Sequence, residues 1–419
     1  MNVILDASPL GIGFYHRQAR TGISRVVEQL LLGLSRAGDV TLTLAAPTHL
    51  PETMRYVAQA LGPAAPSFIN SRNEQTVARL ENTVLRPFAP TSVPSKAIRQ
   101  FTYQTRRTLG REHVRFDVKN LPRPAVYHSP FFPIPDAIQS SRTTAKLQTI
   151  HDLIPLVHPE WFTSGEQTVK QVLATLPPDA WVTTVSQATK DDFCAYTGFD
   201  PARVVPIRLA ASPNLFYPEP NSERQRVVRQ QFGIGDAPYL LSIATLEPRK
   251  NIAHLIRCFG QLAESRQLPA EVRLVLVGTK GWKFDEIMAE AGRSETIRSR
   301  LVFTGFVPDE DLAPLYSGGL AFVYPSLYEG FGLPPLEAMQ CGLPVITSNV
   351  SSLPEVVGDA ALLVPPTDAD ALTQAILTVI NSESMRVELA AKAVARAKLF
   401  SWDKFIGEHV ALYKRILLE

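Results

Sequence analysis

Two doubly wound α/β domains, each a parallel sheet with helices on both faces and the pair facing each other across a cleft, are what this 419-residue sequence predicts. Three observations carry that reading. Strand-like runs alternate with helical patterns along most of the chain. Many of those runs are almost continuously apolar, as in strands covered on both faces. One segment rich in turn formers, Ser212-Pro-Asn-Leu-Phe-Tyr-Pro-Glu-Pro-Asn-Ser, stands where a linker belongs and divides the chain into residues 1–212 and 213–400. At roughly 100–200 residues per domain, the length agrees.

The opening reads as a strand over Val3–Asp6, a glycine-bearing loop over Ser8–Gly22, and a helix whose apolar Ile23, Val26, Val27, Leu30, Leu31 and Leu34 recur at three and four. Gly38 stops that helix, and a second strand follows over Thr41–Ala45, completing a βαβ unit. Between Pro51 and Pro124 the periodicity weakens and prolines interrupt it. From Ala125 the alternation resumes: strands at Val126–His128 and Lys146–Ile150, a helix over Glu166–Leu176, a strand at Trp181–Val185, a helix capped by Ser186, and a strand at Val204–Ile207. Beyond the linker, strands are expected at Tyr239–Ala244, Arg273–Val277, Leu301–Phe303, Leu320–Tyr324 and Pro344–Thr347. A last helix over 401–419, with Phe405, Leu412, Tyr413 and Ile416 on one face, is expected to pack back on the N-terminal domain.

Composition narrows the function classes. A formal charge of +2 sets up no global field for nucleic acid. Three widely spaced cysteines, Cys194, Cys258 and Cys341, support neither a disulfide framework nor a thiolate metal site. The N-terminus MNVILDASPL lacks a basic n-region and has Asp6 where a signal peptide needs apolar residues, so a cytoplasmic protein is the expectation. One local charge excess stands out. Lys96–Arg123 carries eight Lys or Arg against Glu112 and Asp117, a local +6, with Ile98, Phe101 and Tyr103 interleaved. Two readings stay open: the solvated face of an irregular insertion, or a helix resting on anionic headgroups at the inner face of a membrane.

The chemistry concentrates in Tyr324-Pro-Ser-Leu-Tyr-Glu-Gly-Phe-Gly-Leu-Pro-Pro-Leu-Glu, which reads as a strand end, a glycine loop and a helix start. Pro334 and Pro335 suit a first helical turn. The amides of Gly330, Phe331, Gly332 and Leu333 then lie at the positive end of a helix dipole, a site suited to phosphate. Glu329 on the loop can accept hydrogen bonds from vicinal sugar hydroxyls, and Glu337 early in the helix from a ribose diol. Arg249 and Lys250, in Glu-Pro-Arg-Lys-Asn, sit at a strand's carboxyl end, where cations stabilise a departing diphosphate without a metal. His151, in Ile-His-Asp at another strand end, can donate to a sugar hydroxyl or phosphate. Ser186 is read as a helix cap rather than a nucleophile.

Taken together, EGFGLPPLE, EPRKN, CGLPVITSNVSSLPEVVGDAALLVPP and IHDLIPLVHPE resemble the family 4 retaining glycosyltransferases, strongest over Tyr239–Pro366 and weakest over Pro51–Pro124. The resemblance implies the GT-B fold of two Rossmann-like domains, with the donor held by the C-terminal one. It implies that Glu329 contacts the transferred sugar, Glu337 the nucleotide ribose, and Lys250 the donor diphosphate. His151 then stands beside the reacting centre, and the Gly11–Gly22 loop, Gly22 included, approaches donor and acceptor. In one departure, Thr245 stands where many relatives carry Arg. Either Arg249 substitutes or the diphosphate is held differently.

The implied activity is retaining transfer of a hexose from a nucleotide diphosphate sugar to a saccharide, or polyprenyl-linked saccharide, of bacterial surface polysaccharide assembly, with no cofactor or metal. GDP-mannose is favoured as donor, and UDP-glucose is the alternative. A sugar-nucleotide epimerase or phosphorylase of the same fold remains a rival, as does a non-catalytic sugar-binding protein. A nicotinamide oxidoreductase fits poorly: Gly11-Ile-Gly13-Phe-Tyr-His16 lacks the third glycine, and no acid occurs in Val40–Ala46 to hold a ribose.

Overall fold

The apolar runs become strands of two sheets in the computed structural model, which describes residues 1–15, 22–89, 92–108, 116, 121, 123–162 and 166–419. The first sheet holds β1 (Asn2–Asp6), β2 (Thr41–Ala45), β3 (Ala125–Ser129), β4 (Thr144–Ile150), β5 (Trp181–Thr184) and β6 (Val204–Pro206), in the order β2-β1-β3-β4-β5-β6. The second holds β7 (Tyr239–Ile243), β8 (Arg273–Val277), β9 (Leu301–Gly305), β10 (Ala321–Tyr324), β11 (Val345–Ser348) and β12 (Ala361–Val364), in the order β12-β11-β10-β7-β8-β9. Every strand pair is parallel, with registers such as Val3 opposite both Leu42 and Val126, and Leu241 opposite both Phe322 and Val275. β3 and β10 are buried throughout, as strands covered on both faces must be. Strand order reverses between β1 and β3 in one sheet and between β7 and β10 in the other. Ligands of open parallel sheets bind beside such reversals, at the carboxyl ends.

Three expectations need correction. The loop expected over Ser8–Gly22 begins as a helix, Ser8–Tyr15, and its remainder through residue 21 lies outside the described residues. Gly11 serves packing there, since a Cβ would meet Thr53 Oγ1 at 2.6 Å and the His49 carbonyl at 2.9 Å. The interrupted stretch after Pro51 contains three helices, Leu50–Leu61, Arg72–Leu85 and Val93–Thr108. Three of its prolines, Pro51, Pro63 and Pro94, stand in the first turns of helical segments, where a missing N–H costs little. The third correction is β12, a four-residue edge strand behind Gly358 whose half-exposed pattern is too short to stand out.

The linker is anchored rather than loose. Phe216 is buried within an apolar cluster that runs from the first sheet to the second, meeting Tyr316 at a ring separation of 6.0 Å. The C-terminal helix, Trp402–Leu418, is capped by Ser401 and lies against the first sheet and helix Gly22–Arg36. Its Ile406 fills the space beside Gly33, where a Cβ would stand 2.3 Å from Ile406 Cγ1. Beneath, His128 of β3 bonds through Nδ1 to the Tyr413 hydroxyl and through Nε2 to the Thr149 hydroxyl, 2.7 Å each. His409 stacks on His128 with 5.4 Å between ring centres. Burial lowers both histidines, His409 to about 4, so the pair is neutral and depends on its hydrogen bonds. Tyr413→Phe is expected to leave a buried imidazole nitrogen unpaired and to cost about 1–3 kcal/mol, read as a lower denaturant midpoint at unchanged slope.

Candidate active site

The site forms where the second sheet reverses. After β7 the chain makes a turn over Pro248–Lys250 that presents Arg249 and Lys250, and after β10 a loop presents Glu329. The three side chains meet. Lys250 Nζ lies 2.6 Å from Glu329 Oε1, and Arg249 Nη1 lies 2.8 Å from Glu329 Oε2. Ser326 and Tyr324 also donate to Oε1, at 2.7 and 2.8 Å, and Lys250 donates to the Tyr324 hydroxyl at 2.6 Å. Arg249 is itself braced by Glu247, 2.9 Å away, and by the Tyr328 carbonyl at 2.7 Å.

Burial opposes charge on Glu329, but Arg249, Lys250 and the hydroxyl donors outweigh it and hold the carboxyl down at about 2. Lys250 is lowered, by burial and by the neighbouring Arg249. For Arg249, burial is more than offset by Glu329, and the guanidinium stays charged. The result is a buried pair of cations around the ionised Glu329 carboxylate, with Glu247 as a further partner of Arg249. Oε1 accepts three hydrogen bonds and Oε2 one, which leaves Oε2 with acceptor capacity.

The glycine loop is held by its carbonyls. Ser352 Oγ donates to the carbonyls of Glu329 and Phe331, at 2.9 and 2.7 Å. Ser186 and Thr189 of the first domain donate to that of Gly330, at 2.6 and 3.0 Å. In a trans peptide the next N–H points opposite its carbonyl, so the amides of Gly330, Phe331 and Gly332 are turned away from these hydroxyls. Gly332, at φ 107°, makes the turn into helix Leu333–Gln340. The Phe331 side chain turns inward against Phe400, so only its backbone serves the cleft. Glu337, in this helix, accepts from Tyr316 at 3.1 Å and lies 3.5 Å from Arg25 Nη1; burial raises it to about 7.

The first domain closes on this loop. A Cβ at Gly330 would fall 2.4 Å from the His151 carbonyl, and one at Gly22 would fall 3.3 Å from Leu333 Cδ1. Glycine at 330 is therefore required by the backbone opposite it. Tyr328 donates to the Asp192 carboxylate, 2.9 Å away, and Trp282 Nε1 to the Trp161 carbonyl. His151 differs from expectation. Its Nε2 donates to the Pro130 carbonyl at 2.8 Å, and burial lowers its pKa, so the neutral ring presents an accepting Nδ1 rather than a donor. Ser186 caps helix Gln187–Thr197 as expected and, beyond that, spans the domains.

The structure thus brings Arg249, Lys250 and Glu329 together and sets Gly22 and the His151 backbone against the glycine loop and its helix, whereas Glu337 meets Tyr316 and Arg25. Tyr324, Ser326, Ser352, Thr189, Tyr316 and Arg25 were missed. The hydroxyls at 324 and 326 were legible from their closeness to Glu329, but Arg25 carries no local signal. Among the described residues, no group of three or more His, Cys, Asp or Glu is placed to hold a metal ion.

In sequence and in fold the chain is similar to known glycosyltransferases. A model of the glycosyl transferases group 1 matches residues 224–398. Over 295 residues the chain is 36% identical to O-antigen chain mannosyltransferase B of Escherichia coli, covering 69% of this chain and 74% of that one. Over 272 residues it is 35% identical to the serotype-specific mannosyltransferase WbdA of Escherichia coli, covering 64% of this chain but 33% of that protein. Sucrose-phosphate synthase from Thermosynechococcus elongatus shares the fold, with a TM-score of 0.65 and 21% identity over 100% of this chain and 99% of that one.

Glu329→Gln removes the anion that Lys250 and Arg249 share, leaving Arg249 only Glu247, and is expected to cost about 3 kcal/mol near neutral pH. The folded-state value lies below the ordinary 4.5, so Glu329's contribution is full above 4.5 and disappears as pH falls toward about 2. Denaturant titrations of both proteins at neutral pH and near pH 3 check this, the difference narrowing in acid.

Proposed function

The chain belongs to the glycosyl transferases group 1 family and is a glycosyltransferase, and from that premise we propose that it transfers a mannose-type hexose, with retention at C1, from a nucleotide diphosphate sugar to a saccharide or lipid-linked saccharide acceptor of polysaccharide assembly. The observation that carries this reading is the meeting of Arg249, Lys250 and Glu329 at the carboxyl ends of β7 and β10, beside the loop amides. Breaking the C1–O bond builds charge on the departing phosphate. The Lys250 ammonium, the Arg249 guanidinium and the amides of Gly330–Leu333 neutralise it without solvent reorganisation. Arg249 Nε is buried with no partner among the described residues, a spare donor for a phosphate oxygen and the reason to read Arg249 as the substitute for the arginine replaced by Thr245.

Glu329 Oε2 accepts from hydroxyls of the donor sugar and Glu337 from the ribose diol. His151 Nδ1 accepts from a further hydroxyl near the reacting centre. A two-carboxylate scheme needs a nucleophile under C1, whereas Glu329 is held by its cations. The acceptor therefore attacks from the face the phosphate leaves, and the departing phosphate oxygen takes its proton. Contacts of Ser186, Thr189 and Gly22 with the loop support a closed cleft that excludes water. No metal enters this scheme. The mannosyltransferase names of the relatives favour GDP-mannose as donor, with UDP-glucose the alternative.

Helix Val93–Thr108 supports peripheral contact with an anionic membrane, since Val93, Phe101 and Tyr103 are exposed at 79%, 71% and 61% beside Lys96. Much of the basic stretch beyond it lies outside the described residues. Among the described residues no helix is long and apolar enough to cross a membrane.

A thermal-shift panel of nucleotide sugars tests the main reading: the true donor gives a saturable rise, and a rise with none of them overturns it. With that donor, Lys250→Ala is expected to lower turnover by about 10²–10³, measured under saturating donor. Flotation with anionic liposomes is expected to carry the protein and to fail for Phe101→Asp.

A further inference from the structure

Helix Gly22–Arg36 comes from the first domain, yet its first turn lies on the second. Gly22 abuts Leu333, and one turn later Arg25 reaches across the cleft. Its Nη2 lies 2.6 Å from Asp309 Oδ1 and its Nη1 lies 3.5 Å from Glu337 Oε1. Its guanidinium carbon also stands 5.9 Å from the ring centre of Phe216 in the linker. One side chain thus touches the linker and two acids of the opposite domain.

We propose that Arg25 is a positioning residue for the donor site: on closure, the first domain delivers the counter-ion that keeps Glu337 ionised and aimed to accept the nucleotide ribose diol. The proposal rests on the ribose assignment of Glu337 above. The surroundings of Glu337 leave this task to Arg25. Tyr316 and Asp309, on helix Asp309–Ser317, supply a neutral hydroxyl and a second negative charge, and Cys341 ends the helix of Glu337 itself. Among the described residues Arg25 is the cation that faces the carboxyl, and Asp309 anchors it. Burial raises the Glu337 carboxyl to about 7 while Arg25 draws it down. A protonated carboxyl loses acceptor capacity, so a ribose diol is held by the ionised form. Because cation and carboxylate belong to different domains, affinity for the nucleotide is coupled to closure.

Equilibrium binding of GDP-mannose, with UDP-glucose as second probe, is measured against pH from about 6 to 8.5, a range in which a diphosphate esterified at both ends does not titrate. Since the carboxyl is raised, binding by the unaltered protein is expected to strengthen as pH rises through about 7. In Arg25→Met the midpoint moves upward by about one pH unit, so that binding is up to about tenfold weaker near neutrality and recovers in alkali. Arg25→Lys restores the midpoint, and Arg25→Gln repeats the Met result should that variant fold poorly. A merely structural role would weaken binding by one factor at every pH, and that result, or an unmoved midpoint, overturns the proposal. Glu337→Gln separates the two layers. If it binds the nucleotide sugar as the unaltered protein does, or if the unaltered protein binds neither probe, the ribose assignment falls and this proposal with it. If it binds weakly while Arg25→Met is unchanged, only the role of Arg25 falls.

Discussion

A buried carboxylate needs counter-charge, and the arrangement around Glu329 follows from that requirement. The carboxylate sits in a nearly dry junction, where isolated ionisation would be costly. Arg249 and Lys250 make it tolerable, and they in turn depend on it, since two adjacent buried cations repel. The hydroxyls of Tyr324 and Ser326 satisfy the remaining valences, and Glu247 steadies Arg249 from behind. The cluster therefore behaves as one unit, assembled from two strand ends brought together by the reversal of strand order between β7 and β10.

Closure rests on a second constraint, which is steric. The first domain's backbone at His151 occupies the space a side chain at 330 would need, so the loop can approach only as glycine. Hydroxyls from both domains then grip successive carbonyls of the loop and turn its amides the other way. Under the proposed function, phosphate recognition by the backbone and domain closure are one structural event. The peptide groups of the loop are oriented by residues of both domains that hold their carbonyls.

The contrast between the two histidine-bearing regions is instructive. His151 ends β4 at the cleft, with one nitrogen committed to a carbonyl and the other accepting. His128, a strand over, is wholly buried and spends one nitrogen on Tyr413, which ties the C-terminal helix to the first sheet, and the other on Thr149 of the neighbouring strand. Neighbouring strands carry the same side chain to opposite purposes because one position faces the junction and the other a packed helix.

Local chemistry was legible in the sequence. Apolar runs and their helical partners marked most strands, because strands covered on both faces leave few alternatives to Val, Ile, Leu and Phe. Glu329, Arg249 and Lys250 stood out by lying at strand ends beside glycine or proline, where parallel sheets bind ligands, and Glu337 by its place in the helix that follows. The glycine-bearing Ser8–Tyr15 segment misled, since Gly11 answers a neighbouring helix rather than a turn. What only the tertiary structure decided is pairing at a distance: Arg25 with Glu337, Ser186 with Gly330, His151's choice of acceptor over donor. Such contacts join residues more than a hundred positions apart or depend on which face a neighbour fills, and nothing in the local pattern of a chain encodes either.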